Sequence, residues 1–495
     1  VNTPLRILFV ASECEPFIKT GGLADVLGAL PRVLHSMGHD VRIVIPRYSR
    51  IDGAAHRLLP LMPEIKVRYG PHTFVGSVLR CDFPHTRKMP VYFIDEPHFF
   101  GRDGIYGAGR TDYNDNDQRF AFFAMATLWM LKGLDWQPDI IHLNDWQSGL
   151  VAPLLRHHPE ILADPFYADI RTVFSIHNLA YQGAMDKFVI PSIGLPWSVY
   201  TQDGMEFYNK ASFLKGGLVY SDRLVTVSPT YAREIQTPEH GAGMDGVLTA
   251  RAAVLTGILN GIDSREWDPA RDPHIAAPFD AANRAGKERC KEILQEIGGL
   301  NKSPRSPLAG MIGRLTEQKG CDLLIDSLRD ILACGCQVFV LGSGEERYET
   351  ALQSLAREFP RRLAVRVGYD AVLAHQIIAG SDLFLMPSRF EPCGLTQMYA
   401  MRYGTVPVAR ATGGLCDTVA PHGAHASPTG FLFADYTPSA LTEAVRTAVA
   451  VYTAGGAPWT TLQDNGMTRD FSWQRSAAEY ESLYAVTLAT AGSQP

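Results

Sequence analysis

Two open α/β domains in tandem, each built on a largely parallel sheet with helices on both faces, are the fold class this chain predicts. Three observations carry that expectation. The chain has 495 residues, more than one hydrophobic core usually serves. Short runs rich in Val, Ile, Leu and Phe recur with helix-compatible stretches between them, the pattern of parallel strands buried on both faces. Between two such series lies "ILNGIDSREWDPARDP", a Gly-, Asp- and Pro-rich stretch without periodicity that suits a linker near residues 256–275. The expected organisation is therefore an N-terminal domain over 1–255, a second over 256–472 and a C-terminal helix within 473–495.

The first series begins with "RILFVAS" and continues through "DVRIVIP", "VYFID", "DIIHLND", "RTVFSIHN" and "DRLVTVS". After the first run comes "ECEPFIKTGGLADVLGAL", in which Leu23, Val26, Leu27, Leu30 and Leu34 follow helical spacing and Gly38 is a plausible stop. Gly21 and Gly22 at that junction let backbone N–H groups approach an anion, and Lys19 adds a full charge; a plain tight turn also satisfies the segment. The second series is "LAGMIGRL", "CQVFVLGSG", "LAVRVGY", "DLFLMPS", "TVPVARAT" and "GFLF". Toward the end, Ser472 can cap a helix whose stripe of Tyr480, Leu483, Tyr484 and Leu488 must dock on something, while the tail "ATAGSQP" reads as frayed.

In open α/β sheets ligands gather at the carboxyl ends of strands, so polar residues there carry the chemical information. "MIGRLTEQKG" puts Arg314 and Lys319 after a strand, a fork and a point charge that suit a diphosphate, or equally a solvated basic turn. In "SRFEPCGLTQMYAMRYG", Pro392 and Gly394 break the chain and a helix starts near Leu395, aiming the amides of Leu395 and Thr396 at an anion. Glu391 stands just before that terminus, where a carboxylate suits a sugar or ribose hydroxyl better than a phosphate. Two more strand ends carry polar groups: His142, Asn144 and Asp145, then His177 and Asn178, with a satisfied interior histidine as the alternative for each.

Other chemistries lose support. No G-x-G-x-x-G follows a strand: "VLGSGEE" has Gly342 and Gly344 but Arg347 at the third position, and no P-loop is present. Asp115-Asn116-Asp117 fails as a calcium loop, having Asp117 at the turn glycine and Phe123 at the bidentate acid; a polar loop or helix cap is the preferred reading. A net charge of -6 with 20% charged residues gives no nucleic-acid surface. The longest apolar run, "AFFAMATLWML", stops at Lys132, short of the roughly 20 residues that span a bilayer, so no membrane partner is expected. Eight cysteines lack any CxxC or zinc spacing and read as reduced thiols of a cytoplasmic protein; the sequon at Asn301 reads as accidental. Oligomeric state is not encoded legibly.

Taken together, "KTGGLADV", "SIHNLAYQG", "LNGID", "GRLTEQKG", "SRFEPCGLTQMYAMRYG" and "GG" at 413–414 before "DTV" resemble bacterial glycogen synthases and plant starch synthases, over nearly the whole chain. The resemblance implies the GT-B architecture: two Rossmann-like doubly wound domains facing a central cleft, with a C-terminal helix crossing back to the first. It implies a retaining transferase that moves glucose from ADP-glucose to the non-reducing-end 4-hydroxyl of an α-1,4-glucan and releases ADP, without cofactor or metal. Lys19, Gly21 and Gly22 correspond to the loop at the diphosphate and glucosyl end of the donor; Arg314 and Lys319 to the pair that neutralises the leaving diphosphate. Glu391 matches the acid near the transferred glucose, and Gly394, Leu395 and Thr396 the helix start at the phosphates. His177 corresponds to the histidine beside the glucosyl ring, Asp145 to a functional aspartate, Asn260 to a substrate contact and Tyr369 to an aromatic beside adenine. Two positions depart from the pattern: Tyr399 stands eight residues after Glu391, where related retaining enzymes often carry a second glutamate, and Gln147 replaces a histidine. Another sugar-nucleotide transferase, a pyridoxal-phosphate phosphorylase or a non-catalytic glucan-binding relative are the rival readings.

Overall fold

A computed structural model of the chain describes residues 3–86, 88–109 and 111–489. The chain divides into two compact units. The first holds the residues up to Val227, then Ala232–Ile258 and the chain from Trp473 on; the second holds Ser228–Tyr231 and Leu259–Ser472.

Unit 1 is built on a nine-stranded sheet among the described residues: β1 (Arg6–Val10), β2 (Asp40–Pro46), β3 (Leu59–Tyr69), β4 (His72–Asp82), β5 (Pro90–Asp95), β6 (Ile140–Asn144), β7 (Arg171–Ile176), β8 (Arg223–Thr226) and β9 (Leu255–Gly257). Their spatial order is β9-β8-β7-β6-β1-β2-β5-β4-β3. All pairings from β9 to β5 are parallel, and β5-β4-β3 is antiparallel. The sequence pattern finds the parallel strands that are continuously apolar but not the short, part-exposed β9, whose residues 256–257 fall in the stretch expected to be linker. It misses β3 and β4, whose many exposed positions give them the profile of strands covered on one face only.

Three helices of this unit bear on the site: α1 (Gly22–Ser36), α2 (Asn116–Gly133) and the single turn α3 (Asp145–Ser148). The stripe on α1 buries as expected and Gly38, at φ 104°, follows its end. The apolar run 121–131 lies inside α2, which is buried nearly all round. Among the described residues no helix is long and apolar enough to cross a membrane.

Unit 2 has a parallel six-stranded sheet among the described residues: β10 (Leu308–Ile312), β11 (Gln337–Gly342), β12 (Leu363–Val367), β13 (Leu383–Met386), β14 (Val406–Arg410) and β15 (Phe431–Phe433). The order is β12-β11-β10-β13-β14-β15. Helices α4 (Ala285–Ile297), α5 (Cys321–Ala333), α6 (Ala371–Gly380), α7 (Thr396–Arg402) and α8 (Gly414–Thr418) belong to it. Leu324, Leu328 and Ile331 of α5 pack on one face of the sheet, and Leu294 and Ile377 of α4 and α6 contribute to the other apolar clusters.

The last helix, α9 (Trp473–Ala489), belongs to unit 1, where it packs along α1 and β7. Its buried stripe is Trp473, Ala477, Tyr480, Leu483, Tyr484 and Thr487, so Thr487 takes the place expected for the half-buried Leu488. The tail after Ala489 lies outside the described residues. Ser228–Tyr231 joins unit 2 through a side chain: Asp417 of α8 accepts hydrogen bonds from Ser228 Oγ at 2.5 Å, Thr230 N at 2.9 Å and Thr230 Oγ1 at 2.7 Å.

Candidate active site

Strand order indicates where a candidate site would lie before any side chain is considered. In unit 1 the chain runs β1, β2, β5 to one side and then returns to build β6, β7, β8 on the other, so the order reverses between β1 and β6. In unit 2 it runs β10, β11, β12 and then β13, β14, β15, reversing between β10 and β13. A crevice opens at the carboxyl ends of strands at such a reversal. Lys19 and the Gly21-Gly22 turn follow β1, and Asp145 follows β6; Arg314 and Lys319 follow β10, and Glu391 follows β13.

In unit 1 the anion at the glycine turn is supplied by the loop itself. The buried Glu13 carboxylate accepts from Thr20 N, from Thr20 Oγ1 at 2.5 Å and from Gly21 N at 3.2 Å. Tyr106 O–H donates at 2.5 Å to Oε1, the oxygen that also takes Thr20 Oγ1, while the two amides share Oε2. Lys19 Nζ pairs with Asp25 Oδ1 at 2.5 Å across the first turn of α1. Burial raises the Asp25 carboxyl, and the Lys19 charge opposes that rise.

Asp145 and His177 form one unit at the ends of β6 and β7. Asp145 has φ 56°, a left-handed backbone unusual for a side-chain-bearing residue. Its Oδ1 accepts His177 N at 2.8 Å and Asn178 N at 3.4 Å, fixing the peptide that carries the His177 carbonyl. Burial pushes the Asp145 carboxyl up to about 7; the two amides lower it and the Glu13 charge adds to the rise. His177 Nε2 lies 3.0 Å from Asn144 Oδ1. Asn144 Nδ2 donates to Val10 O and His142 O, so Oδ1 is the acceptor and the His177 proton sits on Nε2. Burial lowers His177 to about 4, so the ring is neutral at pH 7 with its lone pair on Nδ1. His142, in contrast, is interior: its ring bonds Ser175 Oγ at 2.6 Å and Tyr484 O–H of α9 at 2.7 Å.

In unit 2, Lys319 Nζ meets Glu391 Oε2 at 2.6 Å, and Ser388 Oγ donates to the same oxygen at 3.0 Å. The loops after β10 and β13 are stitched by Arg389 N–H to Gln318 O at 2.9 Å. Gly320, at φ 71°, lets the chain pass so close that a Cβ would lie 2.0 Å from Pro387 O. Arg314 reaches Gln318 Oε1 at 3.3 Å. Gly413 and Gly414 press on the Glu391 backbone: Gly414 N–H donates to Glu391 O at 3.0 Å, and a Cβ on Gly413 would stand 2.0 Å from that oxygen. Gly394 has φ 71°, and Leu395 is the N-cap of α7 with no side chain closing it. Asn260 is buried with Oδ1 unpartnered among the described residues.

The structure thus brings together Lys319, Glu391 and Ser388 in one unit, and Asp145, His177 and Asn144 in the other. Tyr369 stands apart, 88% exposed beyond the edge strand β12 with half-exposed Val367 and Val372. The acidic triplet binds protein groups: Asp115 pairs with Arg102, Asp117 accepts from Tyr69 O–H at 2.7 Å, and Asn116 holds Arg119 at 2.6 Å. Among the described residues no three His, Cys, Asp or Glu side chains cluster as metal ligands. Sequence reasoning missed Glu13, Tyr106 and Ser388. Glu13 carried one available signal, an acid directly after the first strand.

Two Rossmann-like units of this kind, matched over nearly their whole length by a starch synthase catalytic domain, place the chain among the GT-B glycosyltransferases. Residues 6–250 match the starch synthase catalytic domain family and residues 294–451 the group 1 glycosyl transferases. The chain is 52% identical over 481 residues to a glycogen synthase of Anaeromyxobacter sp. (strain Fw109-5), covering 97% of this chain and 99% of that one. It is 46% identical over 491 residues to a glycogen synthase of Geotalea daltonii, covering 99% and 100%. It superposes on the catalytic domain of starch synthase IV from Arabidopsis thaliana bound to ADP and acarbose with a TM-score of 0.89, at 34% identity over 98% of this chain and all of that one. A sucrose-phosphate synthase from Thermosynechococcus elongatus shares the fold at a TM-score of 0.60 and 18% identity, over 98% and 99% of the two chains. The chain belongs to the glycogen synthase family.

Proposed function

We propose that this chain extends an α-1,4-glucan by transferring glucose from ADP-glucose to the 4-hydroxyl at its non-reducing end, with retention and release of ADP. The observation that carries the reading is the charge arrangement at the unit 2 switch point: Arg314, Lys319 and the uncapped start of α7 for an anion, with Glu391 beside them for a sugar. Membership of the family and the relative's ADP and acarbose support a nucleotide donor and a glucan acceptor.

Breaking the anomeric bond drives negative charge onto the diphosphate and positive charge onto the ring, and a site aimed at both charges lowers the barrier. Lys19, Arg314, Lys319 and the amides of Leu395 and Thr396 meet the first. The His177 carbonyl, oriented through the Asp145–amide bonds, and Glu391 meet the second. Neutral His177 offers Nδ1 to a sugar hydroxyl. Asn260 Oδ1 would accept from the substrate, and Tyr369 would lie against the base. No side chain is assigned as covalent nucleophile, so attack comes from the face the diphosphate leaves. All eight cysteines are free thiols.

The test is the rate of glycogen extension with ADP-glucose and with UDP-glucose in EDTA, following nucleoside diphosphate and chain growth. Fast extension with ADP-glucose is expected. Binding of both donors without extension would overturn the synthase reading in favour of a binding role, and loss of rate in EDTA would overturn metal independence.

A further inference from the structure

We propose that Glu13 is a positioning residue for the transfer reaction, holding the Lys19–Gly22 loop and Tyr106 as one preorganised piece. The proposal rests on the reading above, in which that loop serves the donor. The glycine turn before α1 offers amides that an anion could use. The structure gives two of them, Thr20 and Gly21, to the carboxylate of Glu13, seven and eight residues earlier in the same loop. Glu13 is 3% exposed, so this is an interior anchor.

Its second oxygen accepts Thr20 Oγ1 and Tyr106 O–H, both at 2.5 Å, and Ser12 Oγ lies 2.8 Å from the same phenol. Tyr106 is itself held from behind. Asn116 Nδ2 donates to Tyr106 O at 3.0 Å. The fully buried Arg119 donates to Ile105 O at 2.9 Å and Phe99 O at 2.8 Å. A chain of contacts therefore runs from α2 through Arg119, the 99–106 loop, Tyr106 and Glu13 to the glycine turn. Burial and the Glu13 charge push the Tyr106 phenol well above its ordinary range, so it remains the donor. Two consequences follow. Thr20 and Gly21 amides are held by protein, leaving Lys19 to carry this loop's attraction for the donor. And the carboxylate cannot be replaced by an amide of the same shape, because a glutamine NH₂ would face hydrogens where Glu13 presents lone pairs.

The experiment compares wild type with Glu13→Gln in glycogen extension, thermal unfolding and amide hydrogen exchange of the 13–22 segment. Since a loop displaced by about 1 Å can cost on the order of 100-fold, kcat for Glu13→Gln should fall at least about tenfold while KM for glycogen stays within about threefold. Faster exchange at Thr20 and Gly21 should accompany it, with the unfolding midpoint lowered by no more than about 5 °C. Wild-type kcat in the variant, or exchange as slow as wild type, overturns the proposal. Loss of activity matched by a collapsed unfolding midpoint also overturns it, since that is a general structural role. An inactive wild type would defeat the synthase reading instead, and the exchange comparison would still decide whether Glu13 holds the loop.

Discussion

The loop after β1 and the loop after β10 stand at the same topological position in their units, yet they arrange their charges in opposite ways. In unit 1 the buried acid, Glu13, binds backbone amides, and the lysine pairs at the surface, with Lys19 and Asp25 side chains 41% and 28% exposed. In unit 2 the buried acid, Glu391, binds the lysine itself, with side chains 23% and 6% exposed, and the helix start beside it has no side-chain cap. The difference teaches that one glycine turn has its amides taken by a side chain of its own loop, while the other helix N-terminus has no side-chain cap, as the proposed phosphate contact needs. A buried pair is also far more sensitive to loss of one member than a surface pair.

The largest effect should come from breaking the buried pair. Lys319→Ala removes the cation proposed for the leaving diphosphate and strands the Glu391 carboxylate, 5% exposed, with Ser388. Loss of a charged hydrogen bond costs at least about 1.5–3 kcal/mol in the transition state, or about 10–150-fold in kcat/KM. Glu391→Gln added to Lys319→Ala should restore thermal stability without restoring rate. Lys19→Ala, taken from a surface pair, should leave the unfolding midpoint within about 2 °C, since exposed pairs contribute about 0–1 kcal/mol. An unchanged kcat/KM in Lys319→Ala would remove that residue from the mechanism.

A smaller loss tests the neutral histidine of unit 1. Asn144→Leu deletes the acceptor that holds the Nε2 proton of His177 and leaves buried carbonyls of Val10 and His142 without its amide. Turnover should fall about tenfold, the effect of one neutral hydrogen bond of roughly 1–1.5 kcal/mol, with a ring free to change tautomer. Wild-type turnover would mean that the tautomer is immaterial.

What the sequence made legible follows from which interactions are local. The parallel strands, α1 and the helix start at Thr396 are written in nearby residues: continuous apolar runs, a 3.6-residue stripe, a glycine at φ 71° just before a helix. Arg314, Lys319 and Glu391 stood out because they follow strand ends, and the strand order places those ends beside the reversal between β10 and β13. Glu13, and the pairing of the otherwise visible Asn144, were opaque for the opposite reason. Their partners lie across the fold, 33 residues away for His177 and 93 for Tyr106, so no spacing announces them. Gly413 is intermediate: the doublet is visible in sequence, but its purpose, a close approach to Glu391 O, is a tertiary fact.

The smallest effect on turnover should come from a residue that separates the units by their response to pH. In unit 1 the Asp145 carboxyl is pushed up to about 7. A raised acid supports the fold most fully below its unfolded value near 3.8, and that support is lost as pH climbs through 7. In unit 2 Lys287 of α4 is buried, donating to Ala379 O at 3.0 Å and Thr405 Oγ1 at 2.7 Å, and burial lowers it to about 8. Below pH 8 the ammonium is protonated in folded and unfolded chains alike, and its burial penalty is felt in full. Between pH 8 and the unfolded value of 10.5 the folded amine is neutral while the unfolded one still holds its proton, so stability rises with pH. Lys287→Met should flatten the rise of the unfolding midpoint between pH 8 and 10 and leave the rate of glucan extension at pH 7 unchanged. A midpoint that climbs as steeply in Lys287→Met as in wild type would assign that slope to other groups, and with it the difference in pH response between the two units would lose its unit 2 half.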